Sequence, residues 1–94
     1  MRLAKSLNSF FYNLPSLKFV ASQDSDQLVS CKIRSPLTKE DLYFAIEHLN
    51  AEDYSQLDMV RIDTNFGEAF INSDLSSIAA FLIGYVHIPQ SLLK

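Results

Sequence analysis

The sequence predicts an α+β two-layer sandwich, a four-stranded antiparallel sheet with helices mainly on one face, in the element order α-ββ-α-ββ-α. Three observations predict it. Two paired stretches, 17–34 and 58–72, alternate apolar with polar residues in the manner of half-buried strands. Three others, at the start, middle and end of the chain, space their apolar residues three and four apart, as amphipathic helices do. Finally, 94 residues with 48% apolar content, two Gly and three Pro suit one core without long irregular loops, so 1–94 reads as a single domain.

The first helix is read from "RLAKSLNSFFYNLP". Leu3, Leu7, Phe10, Phe11 and Leu14 share one face, Lys5, Ser6, Asn8 and Ser9 the other, and Pro15 ends the run. Next come "LKFVAS" and "QLVSCKIRS", joined by the polar "QDSD". Alternation turns Leu17, Phe19, Ala21, Val29, Cys31 and Ile33 inward and leaves Lys18, Ser30, Lys32 and Arg34 on a basic outer side.

"SPLTKEDLYFAIEHLN" carries the signals of a helix start. Thr38 is placed as N-cap, Asp41 as its capping-box partner, and Leu37 with Leu42 as the hydrophobic staple. Leu42, Ala45, Ile46 and Leu49 then follow helical spacing, with Tyr43, Glu47 and Asn50 outward. "NAEDYSQ" extends this helix or leads out of it.

"DTNFGEAFINSD" poses a choice between a calcium loop and a turn. An EF-hand loop needs Gly at its sixth position, whereas counting from Asp63 places Gly67 fifth and Glu68 sixth. The flanks also read as strands. A three-residue hairpin loop, Asn65-Phe66-Gly67 with Gly in the left-handed region, is the expectation, and it places Val60, Ile62 and Phe70 on the core side.

The last helix starts at Asn72 or Ser73. Leu75, Ile78, Ala79, Leu82 and Val86 line one face, while Ser76, Ala80 and Gly84 recur every four residues opposite, flanked by Phe81, His87 and Ile88. After Asp74 the helix has no charge. Either Gly84 ends it and 85–88 is a short strand, or both faces are covered, one by the sheet and the other by a second protein surface. An all-round apolar helix is normally buried, which favours the second reading and a homodimer through this helix.

Composition narrows the chemistry. Residues 1–39 hold six basic and two acidic side chains, +4, and residues 40–94 two basic and nine acidic, −7, together the net −3. Such segregation steers charged partners or simply solvates acidic surfaces. A single Cys31 precludes an intrachain disulfide and fits a reducing cytoplasm. The run "IAAFLIGYV" is about half of the ~20 residues that span a bilayer, so no membrane partner is expected. The first 23 residues carry Arg2, Lys5 and Lys18 and no acid, yet lack the apolar stretch of a signal peptide.

His48 and His87 stand far apart, without the spacing of a zinc motif, and the two glycines are isolated, without a phosphate loop. No catalytic residue, metal or cofactor is therefore expected. The sequence supports a small acidic protein-binding module that blocks or escorts a partner protein: an inhibitor, immunity protein, antitoxin or chaperone. Its element order is similar to that of class I secretion chaperones, which implies an acidic α+β dimer, although this chain is shorter and has one strand fewer. No functional residue is carried over. Two alternatives stand beside it: nucleic-acid binding through Lys18, Lys32 and Arg34, and a small enzyme using His48 or Cys31 with a carboxylate.

Overall fold

The computed structural model describes residues 3–49 and 58–88. Helix α1 (Leu3–Phe11) and a 3₁₀ turn (Pro15–Leu17) lead into five strands: β1 (Val20–Gln23), β2 (Leu28–Arg34), β3 (Asp41–His48), β4 (Met59–Thr64) and β5 (Gly67–Asn72). Helix α2 (Leu75–Val86) follows. The strands form one antiparallel meander in the order β1-β2-β3-β4-β5. The α+β class is as predicted. The sheet has five strands rather than four, and the element order differs, so the likeness of order to class I secretion chaperones goes with it.

The difference lies in β3, where a helix was expected. Leu42, Ala45, Ile46 and Leu49 fit helical spacing, but Leu42, Phe44 and Ile46 equally fit alternation, and these three are buried while Tyr43 is exposed. Aromatic and β-branched residues favour a pleated surface. Pairing decides the matter, because β3 is the central strand, with seven register pairs to β2 and four to β4.

The supposed N-cap chemistry serves a turn. Ser35 Oγ accepts the N–H groups of Leu37 and Thr38, and Thr38 Oγ1 accepts that of Glu40. Hydroxyls satisfy loose backbone donors in turns as they do at helix ends. Lys39 takes a positive φ of 65° as the chain reverses. Leu37 is 51% exposed, so no staple with Leu42 forms. The "NAEDYSQ" stretch, 50–56, with Asn50 lies outside the described residues.

The β4–β5 hairpin also corrects an expectation. Thr64 pairs with Gly67, leaving two loop residues, Asn65 and Phe66, instead of three. Gly67 has the positive φ, 122°, that the sequence assigned to it. Thr64 Oγ1 ties the turn by accepting the Phe66 N–H and donating to the Gly67 carbonyl oxygen. A one-residue change of register reverses every side chain. Hence Phe70 lies opposite Arg61 on the outer face, and Ala69 and Ile71 turn toward the helices opposite Ile62 and Val60.

Both helices cover one face of the sheet. The core joins Leu7 and Phe11 of α1 to Leu17, Ala21, Val29, Cys31, Ile33, Phe44, Ile46, Val60 and Ile62, and to Ile78, Ala79, Leu82 and Val86 of α2. Phe11 stacks on Phe19 with centroids 4.1 Å apart, and Phe44 meets Tyr85 edge-on at 5.2 Å. Helix α1 ends at Phe11, earlier than Pro15 implied; Leu14 lies beyond it and Phe10 on its outward side, and both are exposed. Ser35, the only buried polar residue among those described, donates its hydroxyl to the Val86 carbonyl and pins the end of α2 to the end of β2.

Candidate docking surfaces

The N-cap of α2 is Asp74, not Asn72 or Ser73. Its carboxylate accepts the Ser77 N–H and the hydroxyls of Ser76 and Ser77. These hydrogen bonds, that of Ser76 foremost, hold the carboxyl below its ordinary value of 3.8. The helix continues to Val86, so 85 and 86 are helical and no strand forms at 85–88. His87 closes it with its N–H to Gly84 and Tyr85, and its Nδ1 lies 2.7 Å from the Ile83 carbonyl oxygen.

The packing of α2 follows the predicted division. Ile78, Ala79, Leu82 and Val86 are buried and Leu75 is half-buried. Ser76, Ala80, Gly84, His87 and Ile88 are exposed, and Phe81 is half-buried beside Tyr85. Among the described residues this outer face is therefore uncovered and uncharged. An added Cβ at Gly84 would meet nothing within 4 Å.

The opposite, outer face of the sheet carries the predicted basic residues, but not as a free stripe. Arg34 Nε lies 3.1 Å from Asp41, and Lys32 Nζ 4.0 Å from the same carboxylate. Asp41 is on β3, which the predicted helix had removed from this face. Lys18 stands apart, exposed in the left-handed region before β1. Arg61 Nη2 meets Glu47 at 2.6 Å, and its Nε lies 3.7 Å from both Asp63 and Glu68. Asp63 shares the strand with Arg61, whereas Glu47 and Glu68 reach it from the neighbouring strands β3 and β5. The aromatic residues Tyr43 and Phe70 also belong to this face, 64% and 44% exposed.

Of the residues considered for catalysis, Cys31 stands alone, whereas His48 is brought to a carboxylate, that of Asp58. Cys31 is buried, and burial pushes its thiol up to about 12, which keeps it protonated and non-nucleophilic at neutral pH. It lies opposite Phe44, four residues along β3 from His48, a separation of about 13 Å at strand rise. His48 Nε2 meets Asp58 Oδ1 at 2.8 Å in a cleft of about 340 Å³ lined also by Asp26, Gln27 and Ser73. The pair bridges the end of β3 and the start of β4. It was hidden in the sequence because nine residues separate its members.

Among the described residues no group of three or more His, Cys, Asp or Glu side chains is placed to hold a metal ion, and no helix is long and apolar enough to cross a membrane. No family model matches the chain, nor does any curated protein or solved structure.

Proposed function

We propose that the protein is a small acidic, non-enzymatic protein-binding module that blocks or escorts a partner protein, and that it forms a homodimer through the outer face of α2. Gly84 is the observation that supports this most directly. A glycine inside a helix costs about 0.5–1 kcal/mol relative to alanine. No described residue occupies the space where its Cβ would stand, so packing among the described residues gives no reason for the missing methyl group. Close approach by an external backbone does. Ala80 and Ser76 continue the low ridge, and the exposed Ile88 adds apolar area at its end.

Light scattering on dilute protein tests the reading. The expected mass is that of a dimer, falling to a monomer in Ala80→Glu with its circular dichroism retained. A monomeric wild type, or an Ala80→Glu protein in the same state as wild type, removes the dimer. Cross-linking capture from the native cell, with Ala80→Glu as control, tests the partner in the same way.

One observation favours a second reading, nucleic-acid binding through Lys18, Lys32 and Arg34. Tyr43 lies directly across from Lys32, offering a ring for base stacking. Charge opposes it: on this face Lys32, Arg34 and Arg61 stand against Asp41, Glu47, Asp63 and Glu68. Salt-sensitive binding of RNA or DNA, lost in the Lys32→Glu/Arg34→Glu double variant, would restore it.

A further inference from the structure

We infer that the cleft holding His48 and Asp58 binds an organic cation, a primary ammonium group on a short alkyl stem. The site stands apart from the outer ridge of α2 and does not rest on the protein-binding reading.

In the antiparallel meander the end of β1, the start of β2, the end of β3, the start of β4 and the end of β5 meet at one end of the sheet. Backbone hydrogen bonds fasten them there. His48 N–H donates to the Gln27 carbonyl at 2.7 Å, Leu49 N–H to that of Met59 at 2.9 Å and Ser73 N–H to that of Asp58 at 3.1 Å. The side chains of this end surround about 340 Å³, inside the ~300–1,000 Å³ range of small-molecule sites. Leu3, Val29 and Val60 give the cleft apolar lining. Asp26, Gln27, Asp58 and Ser73 bring oxygen acceptors to it beside His48. The His48 and Asp58 side chains are 45% and 66% exposed, so a guest reaches both from solvent.

The chemistry of the lining selects the guest. Nε2 of His48 faces Asp58 Oδ1 at 2.8 Å and carries the proton of that contact, which leaves Nδ1 an acceptor in the neutral ring. Among the described residues no cation pairs with Asp26, and no lysine or arginine lines the cleft. Two carboxylates thus face at most one imidazolium, a negative surplus. Asp74, capping α2, offsets the positive end of that helix beside Ser73. An ammonium group supplies three donors and no acceptor, and its charge offsets the surplus. An anion would meet both carboxylates, and a neutral apolar guest would desolvate them without a partner. Asp26, His48 and Asp58 are not grouped to hold a metal ion, which favours a cation that reaches its oxygens through N–H donors. The apolar lining receives the alkyl stem.

The probe is n-butylammonium chloride, titrated at constant ionic strength into the ¹⁵N-labelled full chain, with sodium butyrate as the anion of matching length. Expected are amide shifts concentrated at 26–27, 48, 58 and 73, saturating with a dissociation constant on the order of a millimolar, and none there from butyrate. Asp26→Asn should weaken binding about tenfold. Asp26 is an exposed turn residue, and the dispersion of the variant's own spectrum verifies that it folds. Nα-acetyl-lysine methylamide separates two sources of the same cation. Tighter binding than butylammonium assigns the cleft to a lysine side chain of another protein, and equal or weaker binding assigns it to a free amine. Silence at these amides at tens of millimolar butylammonium overturns the proposal. So do equal shifts from butyrate, or an Asp26→Asn protein that binds as tightly as wild type. Light scattering of Ala80→Glu reads α2 and this titration reads the cleft, so either idea can fail without the other.

Discussion

Asn8 of α1 and Ala21 of β1 are joined by two hydrogen bonds of 3.0 Å, Nδ2 donating to the Ala21 carbonyl and Oδ1 accepting its N–H. A helix side chain thus supplies what a neighbouring strand would, and the sheet ends at β1 instead of continuing into another molecule. Asn8→Ala is expected to cost about 1–3 kcal/mol, because the backbone groups of Ala21 lose their partners at the helix–sheet junction. Asn8→Asp should cost at least as much, since it sets a carboxylate against a carbonyl oxygen. Urea unfolding measures both. If Asn8→Ala unfolds at the wild-type midpoint, water replaces the clamp freely and the edge is not held by it.

Ser35 joins three segments through one hydroxyl: it donates to Val86 and accepts from Leu37 and Thr38. Ser35→Ala leaves a carbonyl and two N–H groups to find other partners next to a buried site, at a cost of about 1–3 kcal/mol. Hydrogen exchange should quicken at the last turn of α2 and in the 36–40 turn together. Faster exchange in only one of them would show that the hydroxyl does not couple the two.

Asp74 makes the stability of α2 depend on acid pH. Its folded pKa lies below the ordinary 3.8 because Ser76 and Ser77 hydrogen-bond the ionised carboxylate. A lowered folded value means that the contribution is full above 3.8 and disappears as pH falls through the folded pKa. Asp74→Asn keeps a capping oxygen without the titration. The wild-type advantage in denaturation midpoint over Asp74→Asn should therefore shrink as pH drops below 3.8. A difference that stays constant from neutral to strongly acid pH contradicts this.

Gly84→Ala separates folding from association. With no described residue within 4 Å of the new methyl group, the substitution should raise the stability of the isolated chain by about 0.5–1 kcal/mol. The same methyl group holds an approaching helix away, so the dimer should weaken by about tenfold or more. Chemical denaturation of dilute protein and light scattering over a concentration series check the two halves. A stabilised chain with unchanged association would mean that the α2 ridge faces only solvent.

Most of the core was readable along single elements. Leu7 and Phe11, then Val29, Cys31 and Ile33, then Ile78, Ala79, Leu82 and Val86 turn inward as their spacing requires. The open, uncharged ridge of α2 was readable for the same reason, since one helix fixes which residues share a face. Reading failed where one pattern served two structures. Leu42 to Leu49 satisfies both periods, and the hydroxyls of Ser35 and Thr38 would cap a helix as readily as they brace a turn.

Relations between elements were out of reach. Phe70 moved to the outer face because Thr64 pairs with Gly67, and a register is a property of two strands. Asp41 reached Lys32 and Arg34, and Glu47 reached Arg61, only once β3 lay between β2 and β4. The sequence alone determined a small α+β domain, its apolar interior and the uncharged outer side of its last helix, because burial patterns are written at spacings of two to four residues. Tertiary structure decided the fifth strand, the neutralised basic face and the clamping of β1 by Asn8, because hydrogen bonds and charges combine across distances that local periodicity does not encode.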